Sequence, residues 1–263
     1  MQEVEAKVRK LAEETISLHR ADVESLCASL GTNVEEVIGA WVAWDTGIND
    51  YSNSIYSSNA TRIAMHLHNF IPGNWHDKRQ AEVLKLISDI APKRIADVGF
   101  GTPQRYVTEY VLQKDLSASL LDFDQESLDF AGSYLDTQSK NWRKQVSLRK
   151  YDMNSGEAIG DFDLYLFQDS VEHADDPSKY FSSAIVRANR GSYFVLSMPI
   201  EVNRAVPEHN IFWKSTEDAL GWVRGHGLEI RGWSEIRMNP DLDLFAKHLH
   251  PEFKEILVWA QKP

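Results

Sequence analysis

Arg94-Ile95-Ala96-Asp97-Val98-Gly99-Phe100-Gly101-Thr102-Pro103 decides how this 263-residue chain is read. Ile95, Ala96 and Val98 form the short apolar run of a buried strand, and the two glycines that follow replace side chains with bare backbone. A loop of that kind lets a ligand come close to the main chain. Twenty-one residues beyond Gly101, a second apolar run, Ala118-Ser119-Leu120-Leu121, ends in Asp122. A carboxylate at that strand end faces the same crevice and can grip a ribose diol, so the two segments together predict a nucleoside-binding site. A dinucleotide loop needs a third glycine where its helix closes on a pyrophosphate, and Gln104 occupies that position.

Asp97 stands two residues before the first glycine, and with it the stretch resembles motif I of the class I S-adenosylmethionine (SAM) methyltransferases, D-x-G-x-G followed by a small residue. Three further segments resemble that family in the right order. Leu121-Asp122-Phe123-Asp124-Gln125-Glu126-Ser127-Leu128 is similar to its second strand end. Ser147-Leu148-Arg149-Lys150-Tyr151-Asp152-Met153 is similar to the third. Phe162 to Pro177, containing Gln168 and Val171-Glu172-His173-Ala174-Asp175-Asp176-Pro177, is similar to the fourth strand and its loop, with Val171 where the family has leucine. The resemblance spans roughly residues 76 to 235. It implies SAM as cofactor, held by Asp97, Gly99, Gly101 and Gln168, by Asp122 on the ribose, and by Asp152 and the Met153 backbone on the adenine.

Each segment has a plainer reading. The glycines can make a tight turn, Asp122 and Asp152 can cap helices, and Glu172-His173 can be a solvated pair. Taken together, all four fall at successive strand ends, where ligands sit in open α/β sheets. The alternation of strand and helix patterns supports an α/β domain with a mostly parallel sheet. The resemblance sharpens this to a doubly wound, seven-stranded sheet with helices on both faces and an antiparallel last strand.

The chain is 43% hydrophobic, enough to bury a full core, and carries a net charge of −11, which opposes a nucleic acid substrate. Lys140-Asn141-Trp142-Arg143-Lys144 is its densest aromatic-basic stretch and reads as a solvated helix end or loop. Cys27 is the one cysteine, so no intrachain disulfide, zinc-thiolate set or three-cysteine cluster can form. No run is apolar enough to cross a bilayer and the first thirty residues are studded with charge, so no membrane partner and a cytoplasmic address are expected.

Residues 1–75 read as a helical appendage and 76–263 as the SAM-binding catalytic domain, with an insertion near 238–251 able to cover the pocket. In the appendage, Val4, Val8, Leu11, Thr15 and Leu18 recur at helical spacing, a second helix begins near Asp22 and ends at Gly31, and Thr32 or Asn33 caps a third. Such helices must fold over the main domain, as a lid, or pair with a second copy in a homodimer. Trp44 to Tyr56 is rich in aromatic, amide and hydroxyl groups, and Tyr51 and Tyr56 in it are candidates to contact a small polar substrate or the sulfonium. His66, His68 and His76 match no familiar metal-ligand spacing and read as helix-surface or hinge histidines, and no metal is expected. A further helix begins near Asp77 with Ala81, Leu84, Ile87 and Ile90 inward, and Pro199 ends the fifth strand.

Methyl transfer to a small-molecule substrate is the leading reaction. An oxygen or nitrogen acceptor must lose its proton, and His209 and His173 are the candidate bases, with Glu208 able to orient His209. Attack at the aminobutyrate carbon of SAM, by an acceptor or by SAM's own amine with release of methylthioadenosine, is the alternative reaction. A catalytically silent SAM-binding regulator is the non-enzymatic one.

Overall fold

The computed structural model describes residues 2–47, 58–201, 209–243 and 253–263. Its sheet contains β1 (Arg94–Val98), β2 (Ser117–Asp122), β3 (Val146–Lys150), β4 (Leu164–Gln168), β5 (Tyr193–Ile200), β6 (Glu229–Ile236) and β7 (Lys254–Gln261). Their order is β3-β2-β1-β4-β5-β7-β6. The first five are parallel where they pair, and β7 runs antiparallel to both β5 and β6. Chain order therefore runs one way from β1 to β3 and the other way from β4 to β5, which opens a crevice at the carboxyl ends of β1 and β4.

Side chains alternate across the strands into two cores. Ile95, Leu120, Leu164, Leu166 and Val195 join one. Ala96, Leu121, Tyr165, Phe167, Phe194 and Leu196 join the other. Helices cover both faces, which is why β4 is buried along its whole length and reads as a continuous apolar run. Each main helix starts at a side-chain cap that satisfies an otherwise orphaned amide. Asn74 caps α5 (Trp75–Ile90), Asp124 caps α7 (Gln125–Gln138), Asp176 caps α8 (Pro177–Arg187) and Ser215 caps α9 (Thr216–Gly225). By contrast α6 (Arg105–Glu109), after the glycine loop, is only five residues long.

The N-terminal segment folds into α1 (Gln2–Leu18), α2 (Arg20–Leu30), α3 (Val34–Asp45) and α4 (Asn59–His68). Gly31, in the left-handed conformation, ends α2, and the Asn33 side chain caps α3. The apolar sides of these helices merge with the first core rather than forming one of their own. The buried stripe of α1 is Val8, Ala12, Thr15 and Ile16, and Leu18 is 76% exposed because its position has rotated off that face. Among the described residues, no helix is long and apolar enough to cross a membrane.

Several expectations are corrected. Helix α5 starts at Trp75, and its inward face is Val83, Leu86 and Ile87 with Arg79 and Gln80, while Ala81 is exposed. Pro199 lies inside β5, opposite Glu255. The last β5 residue paired with β4 is Ser197, and the next bridge on that side is Ile200 to Trp213, so Pro199 falls in a gap where no ladder hydrogen bond is required of it. His66 and His68 are buried, not on a helix surface. His66 packs among Phe70, Phe130 and Tyr134, and burial first, with the charge of His19 second, lowers its pKa to about 3. His68 is held by the Ala64 carbonyl and the Asp45 carboxylate and stacks on Trp41. The aromatic-basic stretch is a solvated loop as expected, with Lys140, Asn141, Arg143 and Lys144 exposed; only Trp142 is buried, with Arg143 stacked on it and paired to Asp136.

Candidate active site

The glycine loop is shaped by its neighbours at the carboxyl end of the sheet. Gly99 and Gly101 both adopt positive φ, +69° and +60°. Gly99 N–H donates to the Leu121 carbonyl at 2.7 Å, tying the loop to β2. A Cβ on Gly99 would stand 2.7 Å from Cβ of Ser170, in the loop after β4, and 3.9 Å from Cε of Met153. Strand ends β1, β3 and β4 therefore converge on one glycine, across the point where the strand order reverses.

The acids fall where the sequence pattern places them. Asp122 is buried; its Oδ2 accepts from the Gly101 amide and its Oδ1 from the Asp124 amide, each at 3.0 Å. Its pKa is raised, chiefly by burial. Asp97 is fully buried and accepts from the Tyr106 hydroxyl at 3.0 Å. Burial pushes its pKa up to about 7, against the Tyr106 hydroxyl, the adjacent Gln168 amide and the Arg79 charge. Gln168 ends β4 and is buried beside Asp97. Asp152 is exposed and accepts from the Asn154 amide at 2.8 Å, so it also caps the short turn that carries Met153.

On the other side of the crevice, the loops after β4 and β5 are stitched together. The Asn210 amide donates to the Glu172 carbonyl at 2.8 Å, and its side chain donates to the Ala174 carbonyl at 3.0 Å. This holds the His209 and His173 rings edge to face, 4.8 Å between centres. His209 Nδ1 lies 2.6 Å from Oε1 of buried Glu201. Glu201, at the end of β5, is the carboxylate beside His209; Glu208 lies outside the described residues, as do Tyr51 and Tyr56. Trp44, on α3, is described and buried.

Beneath the site runs a network the sequence reading missed. Arg79 of α5 contacts Asp169, Ser197 and Glu255, and bonds His76 Nδ1 at 3.2 Å. Ser197 Oγ lies within hydrogen-bond distance of Asp169, at 3.1 Å, and of Glu255, its single proton serving one of the two at a time. Asp169 holds φ at +47°, a conformation aspartate tolerates better than most residues. Glu255 is fully buried; burial and the charge of Asp169 raise its pKa to about 8. Glu172 is also fully buried with its pKa raised well above the ordinary value, by burial first and then by Asp169, Glu255 and Glu201. The available signals were a charged residue on the inward face of α5 and Glu255 at the head of an otherwise apolar strand. On the ribose side, buried Arg62 of α4 pairs with Asp124 at 3.0 Å and Glu126 at 2.7 Å.

No protein-family model matches this chain, and no curated protein is similar to it in sequence. Solved structures do share its fold. An O-methyltransferase family protein from Burkholderia thailandensis superposes over 90% of this chain and 76% of its own, with a TM-score of 0.59 at 13% identity. The [4+2]-cyclase SpnF covers 73% of this chain and 83% of its own, with a TM-score of 0.58 at 14% identity. The N-methyltransferase NodS from Bradyrhizobium japonicum, in complex with S-adenosylhomocysteine, covers 73% and 90%, with a TM-score of 0.54 at 12% identity. The chain has the Rossmann-like fold of the class I SAM-dependent methyltransferases.

Proposed function

We propose that this protein binds SAM at Asp97, Gly99, Gly101, Asp122, Asp152, Met153 and Gln168 and transfers its methyl group to a small molecule. The observation that carries the reading is the junction at Gly99, where the loops after β1 and β4 approach to 2.7 Å of a missing side chain with Asp122 and Met153 beside them. The fold alone does not choose the reaction, since similar structures include N- and O-methyltransferases and a cyclase. The acceptor is placed against the loops carrying Glu172, His173 and His209. In the transfer, the acceptor's lone pair forms the new bond to the methyl carbon and the carbon–sulfur pair returns to sulfur, giving adenosylhomocysteine. Loss of the acceptor's proton depends on His209, which Glu201 aligns. The four N-terminal helices form the wall over the cofactor.

Calorimetry with SAM and adenosylhomocysteine tests the cofactor, and product analysis tests the reaction. Asp122→Ala is expected to weaken binding by about 10- to 100-fold, the scale of a charged hydrogen bond lost at a buried site. Unchanged affinity there and in Gly101→Val would refute the assignment. Adenosylhomocysteine with a methylated acceptor supports transfer. Methylthioadenosine would replace it with attack at the aminobutyrate carbon, and binding without turnover in a metabolite extract would make the protein a regulator.

A further inference from the structure

We propose that Glu172, His173 and His209 form a binding site for one divalent transition-metal ion at the acceptor side of the crevice, a reading that deepens the methyl-transfer proposal by assigning its acceptor side. One ligand atom from each of the three lies within 4.8 Å of the others. Metal bonds of about 2.0–2.2 Å at tetrahedral or octahedral angles set donors roughly 3 to 3.5 Å apart. Capture therefore requires up to about 1.3–1.8 Å of closure, toward which the exposed His173 side chain can contribute.

Three independent features point to an ion. The Glu172 carboxylate is fully buried, and neither of its oxygens accepts a hydrogen bond from another described residue; only its own backbone amide lies close. A buried carboxylate without a partner is costly, and a cation relieves that cost. His209 places Nδ1 2.6 Å from Glu201. The contact lacks hydrogen-bond alignment, yet a carboxylate this close favours the tautomer protonated at Nδ1, leaving Nε2 for an ion. Finally, Arg79 is engaged by Asp169 and Glu255, and among the described residues no cation pairs with the Glu172 carboxylate.

The donor set also selects the ion. Two imidazoles and one carboxylate suit Zn²⁺, Fe²⁺, Co²⁺ or Mn²⁺ over Mg²⁺ or Ca²⁺, which prefer oxygen alone. Three protein ligands leave a coordination position for an acceptor oxygen, whose hydroxyl becomes acidic on the ion and releases its proton to water. The acceptor class that fits is a small hydroxylated molecule. His209 then serves the acceptor's deprotonation as an ion ligand, and Glu201 as a positioning residue.

The test uses the full chain stripped with chelator and titrated with Co²⁺ and Zn²⁺ in the absence of SAM, following the visible bands of bound Co²⁺ and the metal content after dialysis. One ion per chain is expected. His209→Ala and Glu172→Gln should each weaken binding at least about 100-fold, and Glu201→Gln about 10- to 100-fold. His173→Ala, at an exposed position, should also weaken it while leaving the fold intact by circular dichroism, so the proposal stays testable if a buried variant does not fold. Failure of the wild type to retain metal, or retention by the His173→Ala variant at wild-type affinity, would overturn the site. SAM affinity measured on the same stripped preparation separates the two readings: SAM binding without metal binding removes only the ion, and metal binding without SAM binding removes only the cofactor.

Discussion

Gly99 combines a backbone conformation of φ +69° with a gap too narrow for a methyl group, since Ser170 Cβ lies 2.7 Å from where its own Cβ would be. Gly99→Ala is expected to destabilise the protein by about 1–3 kcal/mol through backbone strain and displacement of the β4 loop. Urea denaturation measures this, and an unchanged midpoint would show that the loop is less tightly closed. Asp97 predicts a pH effect. Its folded-state pKa of about 7 lies above the unfolded value near 3.8. Its contribution to stability is therefore fully present below about pH 4 and lost as pH rises through 7, on the order of 4 kcal/mol in all. Asp97→Asn should remove that part of the decline while keeping an acceptor for Tyr106, and an equally steep decline in the variant would assign it to other acids. His66 works in the opposite direction. Its pKa of about 3 lies below the ordinary 6.5, so its contribution is present above pH 6.5 and is lost as pH falls toward 3. His66→Phe, among Phe70, Phe130 and Tyr134, should flatten the acid limb of a stability profile; a limb of unchanged slope counts against it.

At the scale of elements, α5 does more than cover the sheet, because Arg79 ties it to the end of β4 and the start of β7. Arg79→Met should cost about 3–5 kcal/mol by leaving buried Glu255 and half-buried Asp169 without their cation, and adding Glu255→Gln should recover part of it. Strict additivity in that cycle would mean that the pair is not coupled. The positions of β1, β2, β4 and β7 were legible from their apolar runs, because a strand covered on both faces has to be apolar on both. The residues proposed to hold the cofactor were legible as strand-end positions, because they sit within or just after those runs. What the sequence concealed was pairing at a distance. Glu201 and His209 meet across a connection of several residues, and Arg62 reaches Asp124 from a helix in the N-terminal segment. Periodicity also misplaced Ala81, since polar Arg79 and Gln80 take the inward face for the sake of the network. Pro199 misled because the sequence does not reveal that β4 stops pairing at Ser197.

At the scale of the molecule, the N-terminal helices and the sheet share one core, and Arg62 links α4 to the turn after Asp122. Adenosylhomocysteine is therefore expected to slow hydrogen exchange in α4 and in the Asp122–Ser127 turn together. Protection confined to the turn would show that the helices are a fixed covering and not a responsive wall. The two outer strands of the sheet, β3 and β6, pose a different question. In β6 the register shifts between Ile230 and Gly232, and a Cβ on Gly232 would lie 2.2 Å from the Trp259 ring. That irregularity bends the rim, and Glu229, Arg231, Glu235 and Arg237 set charges along it. A bent, charged rim offers poor purchase for an incoming strand from another molecule. The chain is thereby guarded against open-ended polymerisation along this border.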